Sequence, residues 1–512
     1  MRNAPIVIQI WREYSGDLLT IDTQTMKAGE HLGAQTARLW AAAAVLLLGA
    51  ALRLSALAQP VTLHPDEALF STFARAAAVN GDWLLPGPLD KPPLALYANA
   101  LAQVFIGEGT LAARLPGALA GVVLAAAVYR LARQLCGGSG VPLLAALLAA
   151  LSPLAVSYSA SAFTDMPMLA LGALALAAGA SGRWLASGAL LGLAFASKHQ
   201  ALYYLPLCLA LGWSVGRLDR RGLVRFAAGL GAALAGLLLW DAARGGTSTF
   251  ALAAVNNDPA RLADLVELAP RLAAWGSHAE QLFGPVGALL IPLALAAGVR
   301  GLVRRRAPTA RADAALLAFA LAYALVHWLV AFNIYERYLL LLLPPVGLLA
   351  ARGLDGAANA VRLPPPSGGL SALARLAGAG ALTLALLPAA LGAAAGQSPL
   401  DTERARCDGI EALAAHLNSK PVATVIYDRW LGWELGYYLG QWNDKRRVYY
   451  PTPELLAAGA LALPEQGTRY FPVPADQPVE EWLEALRAVG FTVEVDLRLP
   501  RFVVYALRPP PR

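Results

Sequence analysis

Five short polar stretches interrupt a chain otherwise dominated by Ala and Leu, and each carries side chains able to do chemistry: Asp66 and Glu67 in HPDEALF, Lys91 in LDKPP, Asp165 in FTDMP, Lys198 and His199 in ASKHQ, and Tyr335, Arg337 and Tyr338 in IYERY. Neighbouring carboxylates such as Asp66 and Glu67 could supply a general base that deprotonates a hydroxyl, with Asp165 a third catalytic candidate. Lys91, Lys198, His199 and Arg337 could bind a phosphate, which needs compact or bidentate cationic donors, with the Tyr338 phenol beside them. A base next to a phosphate clamp suits transfer of a group from a phosphate-linked donor to an alcohol. No GxxxxGK[ST] loop is present, so an ATP-type phosphate cradle is not expected. Cys136, Cys208 and Cys407 are scattered without CxxC or Cys/His spacing, which argues against a zinc site or a disulfide framework. No metal site is assigned and no cofactor is named; His64, Asp66 and Glu67 leave a divalent cation open, although their spacing is not a ligand signature.

Every one of these residues also has a structural reading. Asp66 and Glu67 can cap a helix that starts at His64-Pro65, and Asp165 can cap one beside Pro167. Lys91 and Lys198 can snorkel to lipid headgroups, Arg337 can pair with Glu336, and Tyr335 and Tyr338 can belong to an interfacial aromatic belt. The aromatics of YDRWLGWELGYYLG read as packing of a small domain before they read as a sugar surface.

The elements that must position these groups follow from composition. Of 512 residues, 57% are hydrophobic and only 15% charged, against about a quarter charged in soluble chains; mean hydropathy is +0.51. Runs near the roughly 20 apolar residues needed to cross a bilayer begin at Ala37, Leu111, Val141, Met166, Trp184, Ala201, Leu223, Pro285, Ala314, Leu339 and Leu376. Residues 1–36 lack an apolar core and read as a cytosolic tail, not a cleaved signal. With the N-terminus inside, about fifteen Lys and Arg fall in short inward loops against about nine outward, which fits the positive-inside rule. The formal charge of +7 is then topological, and no nucleic-acid surface is implied. On this topology all five chemical stretches lie on the outer side. Membrane-end charges that converge on one face imply a site, because placing a charge at mid-bilayer costs about 2.5–3.5 kcal/mol.

Two outward segments exceed simple turns. Residues 58–110 are expected to hold interfacial helices, including Leu94 to Ile106, too short to cross; residues 241–284 are moderately polar. Residues 37–397 form the membrane domain, with one Pro/Gly loop from Pro364 to Gly369. From residue 398, β-rich VATVIYD, RRVYY, RYFPV, FTVEVDL and RFVVYAL alternate with helical segments, the pattern of a small extracytoplasmic α/β domain over 398–512.

HPDEALF, GDWLLPGPLDKPPLALY, GTLAARLPGALAG, FTDMP, GLAFASKHQALYYLP and YERYLLLLLPPVGLLA, in this order and spacing, resemble bacterial membrane glycosyltransferases of family 39. That family includes the lipid A aminoarabinose transferase and relatives of the protein O-mannosyltransferases. The resemblance implies a polytopic helical GT-C fold with about 11 to 13 transmembrane helices, a polyprenyl-phosphate sugar donor and a hydroxyl acceptor that is a lipid, glycan or protein. It also implies transfer at the outer face of the cytoplasmic membrane. By the same resemblance Asp66 matches the carboxylate beside the reaction centre, Lys91 the KPP lysine near the donor phosphate, Asp165 the fourth-span carboxylate, Lys198 the lysine after the fifth and Tyr338 the aromatic before the LLP run. One departure stands out: aminoarabinose transferases carry Arg-Tyr just after the acidic pair, where this chain has Leu69-Phe70, so that Arg337 or His199 would have to supply the missing phosphate contact. A lipid or sugar flippase or transporter, and a polysaccharide ligase or polymerase, are the competing readings.

Overall fold

The structure, a computed structural model, describes residues 27–137, 140–304, 308–360, 369–464 and 466–511. The N-terminal part of the expected tail, Arg305, Arg306, Arg362 and most of the Pro364 to Gly369 loop lie outside the described residues. Helix α1 (Lys27–Leu57) starts inside the stretch expected to be tail. Its apolar part begins at Thr36.

The chain is a multi-pass helical membrane protein. Among the described residues seven helices are long and apolar enough to cross a membrane, eight if one bent pair counts as a span. Eight of the eleven expected spans fall in these helices. The other three expected spans are helices of 16, 14 and 11 residues. They are buried against neighbouring helices for much of their length, where a span need not reach the length that lipid would demand.

After α1, helix α2 (Pro65–Asn80) opens with a capping box: His64 accepts from the backbone of Asp66, while Glu67 reaches back to the backbone of His64. Helix α3 (Leu94–Ile106) follows the Pro92-Pro93 pair, so the expectation of short helices in this loop holds. Helix α4 (Thr110–Cys136) then leads to the bent pair α5 (Val141–Leu151) and α6 (Pro153–Ser159), which meet at 56°. Pro153 causes the break, having no N–H to donate and a ring that clashes with the preceding turn. The freed carbonyls of Ala149 and Ala150 are taken by Arg53, a 1% exposed side chain of α1, which also donates to Ser159 Oγ at 3.1 Å. Gly121 of α4 makes room for it: a Cβ there would stand 2.3 Å from Arg53 Nε and 2.1 Å from Ser159 Oγ.

Helices α7 (Asp165–Ala180) and α8 (Trp184–Ser197) run antiparallel, so Asp165 at the start of one and Lys198 just past the other share one end of the bundle. Helix α9 (Tyr204–Ser214) is followed by α10 (Arg220–Ala243), which approaches α8 so closely that a Cβ on Gly188 would lie 2.0 Å from the Phe226 carbonyl; small residues allow such backbone contact where lipid offers no hydrophobic drive. Residues 241–284 contain α11 (Thr249–Asn257) and α12 (Leu265–Phe283). Helices α13 (Gly287–Val303), α14 (Pro308–Leu329), α15 (Leu343–Ala360) and α16 (Gly369–Ala394) complete the bundle. A 3₁₀ turn over Glu336–Leu342 precedes α15.

The C-terminal unit is built on a five-stranded mixed sheet of order β2-β1-β3-β5-β4: β1 (Val425–Tyr427), β2 (Arg446–Val448), β3 (Arg469–Pro474), β4 (Thr492–Arg498) and β5 (Phe502–Arg508). β1 is parallel to β2 and β3, and β5 is antiparallel to β3 and β4. β1 and β2 lie within the segments read as strands, and β3, β4 and β5 each run one residue past theirs. The helix over Gly432–Leu439, inside the aromatic stretch, was not read from sequence. It packs on α2: the Trp433 and Phe73 rings lie 5.7 Å apart, and Arg75 donates to the Tyr437 carbonyl at 2.8 Å.

Candidate active site

Two ion pairs stand side by side at the bundle end where α7 starts and α8 stops. Asp66 Oδ2, in the first turn of α2, is 3.1 Å from Arg337 Nη1, and the Asp66 side chain is 37% exposed. Asp165 Oδ1 is 2.6 Å from Lys198 Nζ, with both side chains buried. The Tyr338 ring, 5.4 Å from Lys198 Nζ, follows Arg337 in the same turn and so links the pairs.

Arg337 is held by aromatic faces. Its guanidinium carbon lies 4.9 Å from the Phe163 ring centroid and 4.4 Å from that of Tyr335. Phe163 is in turn met edge-on by Phe70 at 6.4 Å. The Leu69-Phe70 departure therefore supplies part of the platform under Arg337. Arg337 does not pair with Glu336, which accepts the Tyr158 hydroxyl at 2.5 Å instead.

Hydrogen-bonding capacity is left over here. Asp165 Oδ2 and Arg337 Nε are buried without a protein partner. Lys91 Nζ is 2.5 Å from Asp90, which also accepts from Asn256 at 3.3 Å. Lys198, in the connection between α8 and α9, has its pKa pushed by burial down to about 8; Asp165 opposes the shift, while Arg337 and Lys91 add to it. These electrostatic effects bring Lys91, Lys198 and Arg337 into one cationic neighbourhood. His199 differs from them. Burial, helped by Lys91, takes its pKa down to about 4, and its ring packs between Phe195 and Phe250 at 5.2 and 5.3 Å. Burial thus favours its neutral form, and its buried Nε2 has no protein partner.

Glu67 sits elsewhere. It is fully buried. Oε1 accepts from Arg114 and the Ala162 backbone, both at 2.9 Å, and Oε2 accepts from Arg404 at 2.8 Å, the His64 backbone at 3.0 Å and Arg114 at 3.2 Å. Burial alone would raise its pKa, yet Arg114 and Arg404 hold the carboxyl well below the usual range. A carboxylate so fully engaged has no lone pair to offer a substrate, which corrects its expected catalytic role. His64 Nε2 lies 3.0 Å from Glu403. The trio His64, Asp66 and Glu67 thus does not form a cation cradle, and among the described residues no three His, Cys, Asp or Glu side chains gather as one.

Sequence reasoning missed four participants: Tyr158, Phe163, Glu336 and Arg404. The small polar run SYSASAFTD before Asp165 was the available sign that a non-helical connection presents Phe163 and Asp165. Nothing in the sequence linked Arg404 to Glu67, 337 residues away.

Residues 90–244, which include Lys91, Asp165, Lys198 and His199, match the family model described as dolichyl-phosphate-mannose-protein mannosyltransferase. Over 170 residues the chain is 28% identical to an undecaprenyl phosphate-alpha-4-amino-4-deoxy-L-arabinose arabinosyl transferase of Edwardsiella ictaluri, a match covering 30% of this chain and 31% of that relative. The chain therefore spans about a third of the length of the curated relative it matches. The crystal structure of ArnT from Cupriavidus metallidurans bound to undecaprenyl phosphate is similar over 92% of this chain and 98% of that one, with a TM-score of 0.64 and 18% identity. Its apo form gives 0.63 over 93% and 98%, again at 18% identity. The chain has the GT-C fold in the form seen in the aminoarabinose transferases, with a small C-terminal sheet domain.

Proposed function

We propose that the chain is a glycosyltransferase that moves a sugar from a polyprenyl-phosphate donor to a hydroxyl acceptor, at the outer face of the cytoplasmic membrane, with the N-terminus inside and the C-terminal domain outside. The observation that carries this reading is the pairing of a solvent-reaching carboxylate, Asp66, with Arg337 beside the buried Asp165–Lys198 pair, where Arg337 Nε and Asp165 Oδ2 are left without a protein partner. The arabinosyl transferase and ArnT similarities support it, since their names carry undecaprenyl phosphate.

In this mechanism the acceptor oxygen attacks the anomeric carbon, its proton passes to Asp66, and the bond from that carbon to the phosphate oxygen breaks, so a single displacement inverts the sugar. Lys198, Lys91 and Arg337 stabilise the departing phosphate. Asp165 holds Lys198 in place, Tyr338 flanks it and His199 offers a neutral donor. As the phosphate arrives it draws Arg337 from Asp66, which frees the base for the acceptor. Positioned acid/base help contributes about 10²–10⁴ in rate, and one preorganised electrostatic donor about 10²–10³.

The test is to incubate purified protein with undecaprenyl-phosphate-linked sugars and follow release of undecaprenyl phosphate by mass spectrometry. Release with transfer to an added hydroxyl lipid or glycan is expected. A flippase or transporter would move the donor across vesicles without breaking the sugar bond, and that outcome overturns the proposal.

A further inference from the structure

A cleft of about 1000 Å³ reaches Glu336, the residue before Arg337, while Arg337, Lys91 and Lys198 are not among its described lining residues. Its volume is at the upper end of the roughly 300–1,000 Å³ usual for small-molecule sites. One wall is α13, through Ile291 and Pro292, and the other is α16, through Pro388 and Ala389. Both helices belong to membrane-crossing segments, and Pro292 and Pro388 are exposed on the outside of the bundle. The cleft therefore opens sideways, where lipid would be. Its inner end is polar and is formed by the hydrogen-bonded pair Tyr158 and Glu336, one residue from the Arg337 that holds Asp66.

The charges on this cleft select its occupant. Glu280 stands at the mouth and Glu336 at the inner end, and no Lys, Arg or His is among the lining residues described. A phosphate head drawn past two carboxylates meets like charge in a partly desolvated space, with no cation among the described lining residues to compensate it. A hydroxyl meets a carboxylate able to accept its proton in a hydrogen bond, and an apolar slot for the chain behind it. The cations proposed for the anionic donor, Lys91, Lys198 and Arg337, are not among the lining residues of this cleft.

We propose that this cleft seats the acceptor, and that the acceptor is a membrane lipid whose head group is uncharged and presents a hydroxyl. This names the acceptor class and rests on the transferase reading. The lipid slides in between α13 and α16, and Glu336 turns its hydroxyl toward Asp66.

Binding can be read without turnover. Full-length protein in phosphatidylcholine nanodiscs is photolabelled with a diacylglycerol bearing a diazirine in one acyl chain, and in parallel with phosphatidic acid bearing the same chains. Diacylglycerol is expected to label residues 285–292 and 388–400, with phosphatidic acid about tenfold weaker there. Ala288→Trp, which fills the slot from an exposed position, should remove the labelling. Glu280→Lys, at an exposed position on the mouth, should raise phosphatidic acid labelling several-fold while leaving diacylglycerol labelling in place. Equal labelling by the two probes, insensitivity to both variants, or displacement of diacylglycerol by undecaprenyl phosphate would each overturn the proposal. Failure of donor cleavage with selective labelling intact would instead remove the transferase reading and leave a neutral-lipid cleft of another purpose.

Discussion

Asp66 and Glu67 are neighbours in sequence and opposites in the fold. Glu67 is sealed among Arg114, Arg404 and two backbone amides, with both oxygens fully engaged. Asp66, one residue earlier, keeps a single ion pair and a third of its surface open, beside a buried pair in which Asp165 retains an unused oxygen. Charge and burial are common to both regions, so neither separates a scaffold from a site. What differs between these two is unspent hydrogen-bonding capacity, present at Arg337 and Asp165 and absent at Glu67.

The contrast can be broken by exchanging the effects of mutation. Asp66→Asn should lower turnover by about 10²–10⁴ or abolish it while leaving thermal stability in detergent unchanged; wild-type turnover would remove the assignment. Glu67→Gln should do the reverse, leaving two buried arginines short of a counter-charge and lowering stability by about 3–5 kcal/mol, measured as loss of folded protein in a thermal scan. If its purified folded fraction turned over normally, Glu67 would be scaffold alone; an inactive but fully stable variant would contradict the contrast.

Smaller effects sharpen it. Lys198→Met should cost about 10²–10³ in rate. Because Lys198 has its pKa lowered to about 8, the wild type should lose donor affinity as pH rises through that value, and the variant should lack this limb in a KM-against-pH profile. The smallest effect concerns Glu434 of the docked helix. Burial, then Asp428 and Asp66, push its carboxyl up to about 7. Its contribution to stability is therefore complete below the ordinary value near 4.5 and is lost as pH rises through about 7. Glu434→Gln should keep that contribution, so at pH 8 the variant should be more stable by up to about 3 kcal/mol, with no difference at pH 4. Parallel melting curves across this range would show that Glu434 does not titrate.

Much of this arrangement was legible from sequence because rarity made it so. In an Ala/Leu-rich chain, Asp66, Lys91, Asp165, Lys198 and Arg337 stand out, and sorting them by membrane side predicted their convergence. The strands of the C-terminal domain were legible for a similar reason: β-branched and aromatic runs such as RFVVYAL contrast with the helical background. What stayed hidden was pairing over long separations. Glu67 looked as reactive as Asp66 because nothing local announces Arg404. The short helices α7, α8 and α9 read as ordinary spans, since apolar composition does not reveal whether lipid or protein surrounds a helix. Arg53, alone in an apolar helix, gave no hint that it would cap the break at Pro153.

The clamp on Glu67 also sets an order of assembly. By the time Arg337 is synthesised, Asp66, Lys91, Asp165 and Lys198 all exist, yet Glu67 still lacks Arg404, and the loop from Ala160 to Asp165 lacks the guanidinium that donates to the Ala160 carbonyl at 3.0 Å. A nascent chain at that stage holds all the proposed chemistry with its reaction centre unlatched. A segment made after the reaction centre is therefore the key that locks it, so a membrane-inserted chain that stops short of Arg404 should stay silent.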